Sequence, residues 1–372
     1  MSKMNALNKI TIIGLGLIGG SLGLALNKKG QIPALVGYDL NLTSVQQAVA
    51  MRAVHWGTMS LKLAVEDADL VILAVPVGQI KNTVLSILPF LKDGCVFFDV
   101  GSTKESIIKE MSRILPAHIA FIGGHPMAGS EKAGISGAKD YLFENAIYVI
   151  TPKAEESPEN LHKVLQVIEW LGAKPKIMSP EVHDQAVAGV SHLPYLAAVS
   201  LVQTVGELGH KIPDAPLLAA GGFRDTTRIA GGDAVMWRDI VLSNQENLIE
   251  MIDAFQKQLD QVKEYLIKGD GERLEELFLS SKNLREGIPV SYRGGLPQIY
   301  ELLISIPDQP GMLSLITGSL GAAEVNIAEI EVLRVRENHE GAIRLAFQHQ
   351  SDLDKALIIL REKGLSVSLP TA

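Results

Sequence analysis

What this chain of 372 residues lacks narrows its class. It has one cysteine, Cys95, so no intrachain disulfide framework can form and a reducing compartment, the cytoplasm, is expected. Cys95 adjoins the apolar run Val96-Phe97-Phe98, which marks the thiol as a core filler. An excess of cations is also missing. The 34 Lys and Arg face 42 Asp and Glu, a net charge of -8, which argues against a nucleic-acid partner and for a small-molecule substrate. One stretch, 10–26, imitates an export signal or membrane span. It is 17 residues long, holds five glycines and runs into Lys28 and Lys29 where a cleavage site needs small residues, so no membrane role is expected.

The length suits about two or three domains. Up to about residue 151, short β-branched runs at 10–14, 34–39, 70–75, 96–100, 119–123 and 146–150 alternate with helical patterns. That rhythm predicts an α/β, Rossmann-type, mostly parallel sheet covered on both faces. An amphipathic helix at 155–171 and a short strand at 175–178 follow. Strand signals then vanish for about a hundred residues. Helices are expected at 180–208, 237–267 and 271–285, with breaks around 213–216 and 221–232. Such an all-helical block can close a cofactor cleft, supply substrate contacts and pair two subunits as a homodimer. A Gly- and Pro-rich linker at 291–297 precedes a pattern of strand, helix, strand, strand, helix, strand, a βαββαβ module suited to regulation or assembly. The expected domains are 1–178 (dinucleotide-binding), 179–290 (helical, substrate and dimerisation) and 298–372 (the small module).

Chemistry concentrates at a few places. Gly14-Leu15-Gly16-Leu17-Ile18-Gly19 follows a predicted strand and opens a helix, with Asp39 twenty residues beyond Gly19. In that context the glycines allow a tight turn, close approach of a pyrophosphate and close helix packing, and the helix N-terminus faces the phosphate charge. Asp39 would accept the adenosine ribose hydroxyls, and no arginine stands beside it, so NAD is favoured over NADP. A glycine turn without a ligand is the alternative. Val75 and Pro76 end one strand, and Asp99-Val100-Gly101-Ser102-Thr103-Lys104 ends another, at the edge where an open sheet places its crevice. Ser102 fits a helix N-cap and an active-site group equally well. His125, in Gly123-Gly124-His125-Pro126-Met127-Ala128-Gly129, leaves the sheet at the same edge and is the leading candidate for acid–base work. Glu131 would orient or gate that loop, or is simply an exposed carboxylate. The helical block adds His183, Asp184, His192, Asp225, Arg228 and Trp237. Arg228 could hold a carboxylate bidentately, or pair within its own domain. No metal is expected.

With these residues assembled, the chain resembles the prephenate dehydrogenase family of tyrosine biosynthesis over nearly its whole length. The resemblance rests on the Gly14 fingerprint, Asp99 to Lys104, Gly124-His125-Pro126-Met127-Ala128-Gly129, Ser179-Pro180-Glu181-Val182-His183-Asp184, Ser191-His192-Leu193-Pro194, Gly222-Phe223-Arg224-Asp225-Thr226-Thr227-Arg228-Ile229-Ala230 and Met236-Trp237. It implies NAD-dependent oxidative decarboxylation of prephenate to 4-hydroxyphenylpyruvate. It further implies His125 as proton acceptor aided by Ser102, Arg228 on a substrate carboxylate, and His192, Asp184, Asp225 and Glu131 around the substrate. Leu17 and Ile18 would join the cofactor-binding glycines. Some relatives have a second histidine three residues after the match to His192, where this chain has Tyr195, which cannot carry a cationic charge. The last module looks like an ACT domain, which implies tyrosine as effector at Asp308, Gln309, Gly311, Met312, Leu313, Asn326 and Ile327; a dimerisation module without effector is the alternative. Competing identities are an arogenate or dual cyclohexadienyl dehydrogenase, a β-hydroxyacid dehydrogenase and a catalytically silent amino-acid sensor.

Overall fold

A computed structural model describes residues 7–129, 134–288, 300–307, 309–333 and 340–369. Its contacts divide into two units at 290/291. The first opens with β1 (Lys9–Ile13), α1 (Leu17–Lys29), β2 (Ala34–Tyr38), α2 (Leu42–Ala50), β3 (Trp56–Thr58), α3 (Leu61–Val65), β4 (Leu70–Leu73), α4 (Ile80–Ile87), β5 (Val96–Asp99), α5 (Glu105–Ile114), β6 (Ala120–Pro126), β7 (Ile147–Thr151), α6 (Pro158–Trp170) and β8 (Lys174–Ile177). The eight strands form one sheet in the order β3-β2-β1-β4-β5-β6-β7-β8. β1 to β6 are parallel; β7 runs antiparallel to β6, and β8 runs parallel to β7. The order reverses between β1 and β4, which opens a crevice at the carboxyl ends of the strands.

The period of two along a strand builds a core on each face. Ile12, Ile72, Phe98 and Ile122 stand in one register row and pack with Leu22, Leu26, Val164 and Ile168 from α1 and α6. Their neighbours Val71, Phe97 and Phe121 point the other way and pack with Val65, Val84 and Met111. Each such side chain contributes about 1.5–3 kcal/mol on burial. Cys95 is buried among them, and burial pushes its thiol up to about 12, so it behaves as the expected filler. β3 is an addition to the expected strands.

The helical part of this unit comprises α7 (Pro180–Val187), α8 (Leu193–Lys211), α9 (Gly221–Thr227), α10 (Ala234–Ser243), α11 (Gln245–Lys268) and α12 (Gly271–Gly287). Ser179 starts α7, its hydroxyl accepting from the Val182 amide at 3.3 Å with Pro180 in the first turn. Three expectations need correction. The helix expected at 180–208 widens into a π turn at Ala188–His192. The helix expected at 237–267 begins at Ala234 and breaks at Asn244, whose side-chain amide turns to the Asp184 carbonyl at 2.8 Å. The supposed break at 221–232 contains α9, because its glycines fall at the N-terminus, where they weaken a helix least, and Thr226 and Thr227 bond back to the Gly222 and Phe223 carbonyls.

The second unit contains β9 (Tyr300–Pro307), α13 (Met312–Ala322), β10 (Glu329–Leu333), β11 (Glu340–Phe347), α14 (Gln350–Glu362) and β12 (Ser366–Ser368). Its four strands pair antiparallel in the order β10-β11-β9-β12. Leu302, Ile304, Ile343 and Leu345 pack with Ile316, Leu320, Leu353 and Leu360 of the two helices. The order βαββαβ matches the expectation. The linker at 291–297 and Asp308 lie outside the described residues.

Candidate active site

The glycine turn between β1 and α1 forms one wall of a cavity of about 540 Å³ lined by Gly14, Gly16, Asp39, Val75, Pro76 and Asn82, among others. Gly14 has φ 96°, and a side chain there would strike the Ala74 carbonyl, so the turn demands glycine. A Cβ on Gly16 would meet nothing within 4 Å, which leaves backbone open to a ligand at the start of α1, where Leu17 and Ile18 form the first turn. Asp39 is held by the Leu15 and Asn41 amides, each at 2.8 Å. Its carboxylate is thus fixed at the cavity wall, a fit for the diol of an adenosine ribose and a repulsive site for a 2′-phosphate.

Further along the same edge, β6 delivers His125. Its Nδ1 lies 2.8 Å from His183 Nε2, and His183 Nδ1 lies 2.7 Å from Asp184 Oδ1. Asp184 also accepts the Lys104 and Glu105 amides at 2.8 and 2.9 Å, capping the positive end of α5 from α7. A carboxylate saturated with donors offers only lone pairs. His183 Nδ1 therefore carries a proton, and in the tautomer with a proton on that nitrogen alone, His183 Nε2 accepts from His125 Nδ1. The tautomer this chain of contacts selects leaves His125 Nε2 with a free lone pair. Burial, reinforced by His183, Lys104 and His192, pushes the His125 imidazole well below the usual histidine range, so it stands ready as a neutral base.

His192, buried in the π turn, lies 3.3 Å from the Asn244 amide and edge-on to Trp237. Burial lowers it to about 4 against the pull of Asp184. Tyr195 stacks flat on Trp237 with ring centroids 3.7 Å apart. Ser102 is half-buried, and its N-cap reading is corrected: α5 begins three residues later, with Lys104 at the cap position and Asp184 taking the amides. Asp225 and Arg228 are exposed, on α9 and on the turn Arg228–Gly231 that packs against α8. Glu131 lies outside the described residues. Asn244 is a neighbour that local spacing did not single out, and the Asp99 to Lys104 segment, marked in the sequence as a crevice edge, proves to hold a fully buried ion pair.

Family models decide the relationship. The nucleotide-binding domain of prephenate dehydrogenase matches residues 22–177, and the dimerization domain of prephenate dehydrogenase matches residues 179–280. The chain belongs to the prephenate dehydrogenase family. Prephenate dehydrogenase of Bacillus subtilis is 35% identical over 93% of this chain and 94% of its own length. The crystal structure of prephenate dehydrogenase from A. aeolicus, in complex with hydroxyphenyl propionate and NAD+, superposes with a TM-score of 0.73 at 34% identity, covering 77% of this chain and all of that one. Synechocystis arogenate dehydrogenase superposes with a TM-score of 0.66 at 34% identity over 75% of this chain and 99% of its own. Of the residues just described, Asp39, Val75, Pro76 and His125 lie in the first matched segment and His183, Asp184 and His192 in the second, while Gly14 and Gly16 precede the first.

Proposed function

We infer that this protein oxidises prephenate with NAD and releases 4-hydroxyphenylpyruvate and carbon dioxide. The observation that carries the chemistry is the contact chain Asp184–His183–His125, which leaves His125 Nε2 as a neutral acceptor at the crevice edge. When bound, NAD supplies the hydride acceptor, and Gly14, Gly16 and Asp39 would hold it. His125 takes the proton of the ring hydroxyl as the carbon bearing it loses hydride. The ring carboxylate then leaves as carbon dioxide, and the electrons of the broken C–C bond complete the aromatic ring. His183 and Asp184 orient the imidazole and spread the charge it gains. Arg228 would pair with a substrate carboxylate, Asp225, Glu131 and His192 would complete the pocket, and Ser102 would contact the reacting hydroxyl.

Two copies would pair through the helical segment as a homodimer, in keeping with its uncovered apolar side chains and the matched dimerization domain. The second unit would act as an ACT-like regulatory module. Gly311, at φ 95°, turns the chain into α13, and Gln309, Met312, Leu313, Asn326 and Ile327 would receive free tyrosine there. The domain boundaries would be 1–178, 179–290 and 298–372, and a reducing cytoplasm would suit the lone thiol.

Steady-state rates with prephenate and with arogenate, each with NAD and NADP and with or without tyrosine, test the reading. Turnover of prephenate with NAD, lowered by tyrosine, is expected. Turnover of arogenate alone would move the substrate assignment to the amino acid, and tyrosine inhibition that survives removal of residues 297–372 would place the effector in the active site.

A further inference from the structure

We propose that the buried Asp99–Lys104 ion pair is a positioning device for His125, gripping both polar backbone atoms of Gly124 and so fixing the imidazole against His183. It rests on the reading of His125 as proton acceptor. The pairing of β5 with β6 runs from Val96 opposite Ala120 to Phe98 opposite Ile122 and stops there, yet β6 continues to Pro126. On the side that β5 has vacated, two side chains replace the missing strand. Asp99 Oδ1 accepts the Gly124 amide at 3.0 Å, and Lys104 Nζ donates to the Gly124 carbonyl at 2.7 Å. The two side chains are joined to each other by an ion pair, and Asp99 Oδ2 also accepts the Gly101 amide at 2.9 Å.

Both residues are fully buried. A buried ion pair is a poor way to gain stability, because a well-packed apolar pair of the same volume would do as well or better. What charge supplies here is direction: both polar atoms of Gly124 are held at defined points one residue before the base. Lys104 also joins the two supports of His125. Its own amide is bound to Asp184 Oδ1, the oxygen that holds His183. The ring and the backbone of His125 are thus referred to the same residue, and a shift at Lys104 would disturb both.

The groups around the imidazole are His183 and His192, the Lys104 ammonium, and the carboxylates of Asp184 and Asp99. The lysine charge opposes protonation of His125. Burial is the main cause of the neutrality of His125, with His183 next, and the lysine that helps to position the ring adds to both.

The full-length variant carrying Asp99→Asn and Lys104→Gln keeps hydrogen-bonding groups and strands no lone charge. It should fold and bind NAD with a dissociation constant within about twofold of the wild type, while kcat falls about tenfold to a hundredfold from misplacement of the base. The acid limb of kcat/KM, and the titration of the His125 ring followed by NMR without substrate, should both move to higher pH. A kcat within about twofold of the wild type with both titrations unmoved would overturn the proposal. If this variant does not fold, Lys104→Arg decides: the charge is kept, so the acid limb should stay in place while the larger head displaces Gly124 and lowers kcat about tenfold; an unchanged kcat would overturn the proposal. Activity retained by His125→Asn would instead sink the underlying reading, whereas an inactive His125→Asn beside a fully active double variant would sink this inference alone.

Discussion

The two halves of the first unit place their apolar side chains in opposite ways. In the α/β half both faces of the sheet are closed by packed residues. In the helical half, the buried apolar side chains among the described residues are Val187, Ala188, Tyr195, Ala198, Ile240 and Leu248, and they sit close to buried His183, Asp184, His192 and Asn244. Leu201, Leu208, Phe255, Leu259, Leu266 and Phe278 are exposed. Phe255, Leu259 and Leu266, four and seven residues apart on α11, share one face. The α/β half carries a finished core and can hold the cofactor crevice rigid. In the proposed reading, the helical half would complete its packing against a second copy and would contribute the residues that orient the base.

The sharpest way to break this contrast is to make a small change in each half. In the α/β half, a Cβ on Gly19 would come within 1.8 Å of the Gly14 carbonyl oxygen. Gly19→Ala should therefore lower unfolding stability by about 3 kcal/mol or more and abolish NAD binding, as thermal unfolding and calorimetric titration would show. A milder loss would mean that the turn can yield. In the helical half, Leu259→Asp should leave the fold of each chain nearly untouched, within about 0.5 kcal/mol, and shift sedimentation from dimer to monomer. A dimer that persists at low micromolar concentration would show that α11 faces water. The smallest effect is electrostatic. His125 and His192 are neutral in the folded protein, with lowered values, while an unfolded histidine takes a proton near the ordinary value of about 6.5. The unfolded state therefore binds more protons below that pH, and stability should fall as pH drops from about 6.5 toward about 4. Denaturant titrations across that window check the sign, and stability that rises on acidification would contradict it.

Legibility in the sequence followed the range of the interactions. Strands β1, β2, β4, β5, β6 and β7 are buried runs with β-branched residues, and the glycine fingerprint is a local device, so both could be read from neighbouring residues. β3 is a three-residue edge strand with an exposed Trp56, too short to carry a period. His125 was marked by its glycines and by the strand before it. Lys104, His183 and Asp184 also fell in marked segments, but their contacts with it could not be read, because Lys104 meets Gly124 twenty residues away and His183 meets His125 from a different half of the unit. The break at Asn244 was hidden for the same reason: the amide that ends α10 serves Asp184, sixty residues earlier.

The most direct test is NADH formation from prephenate by His125→Asn beside the wild type. Loss of turnover by about a hundredfold or more, with NAD binding intact, is the predicted result. Turnover equal to the wild type would contradict the account, because the contacts of His183 and Asp184 would then orient a ring that takes no proton.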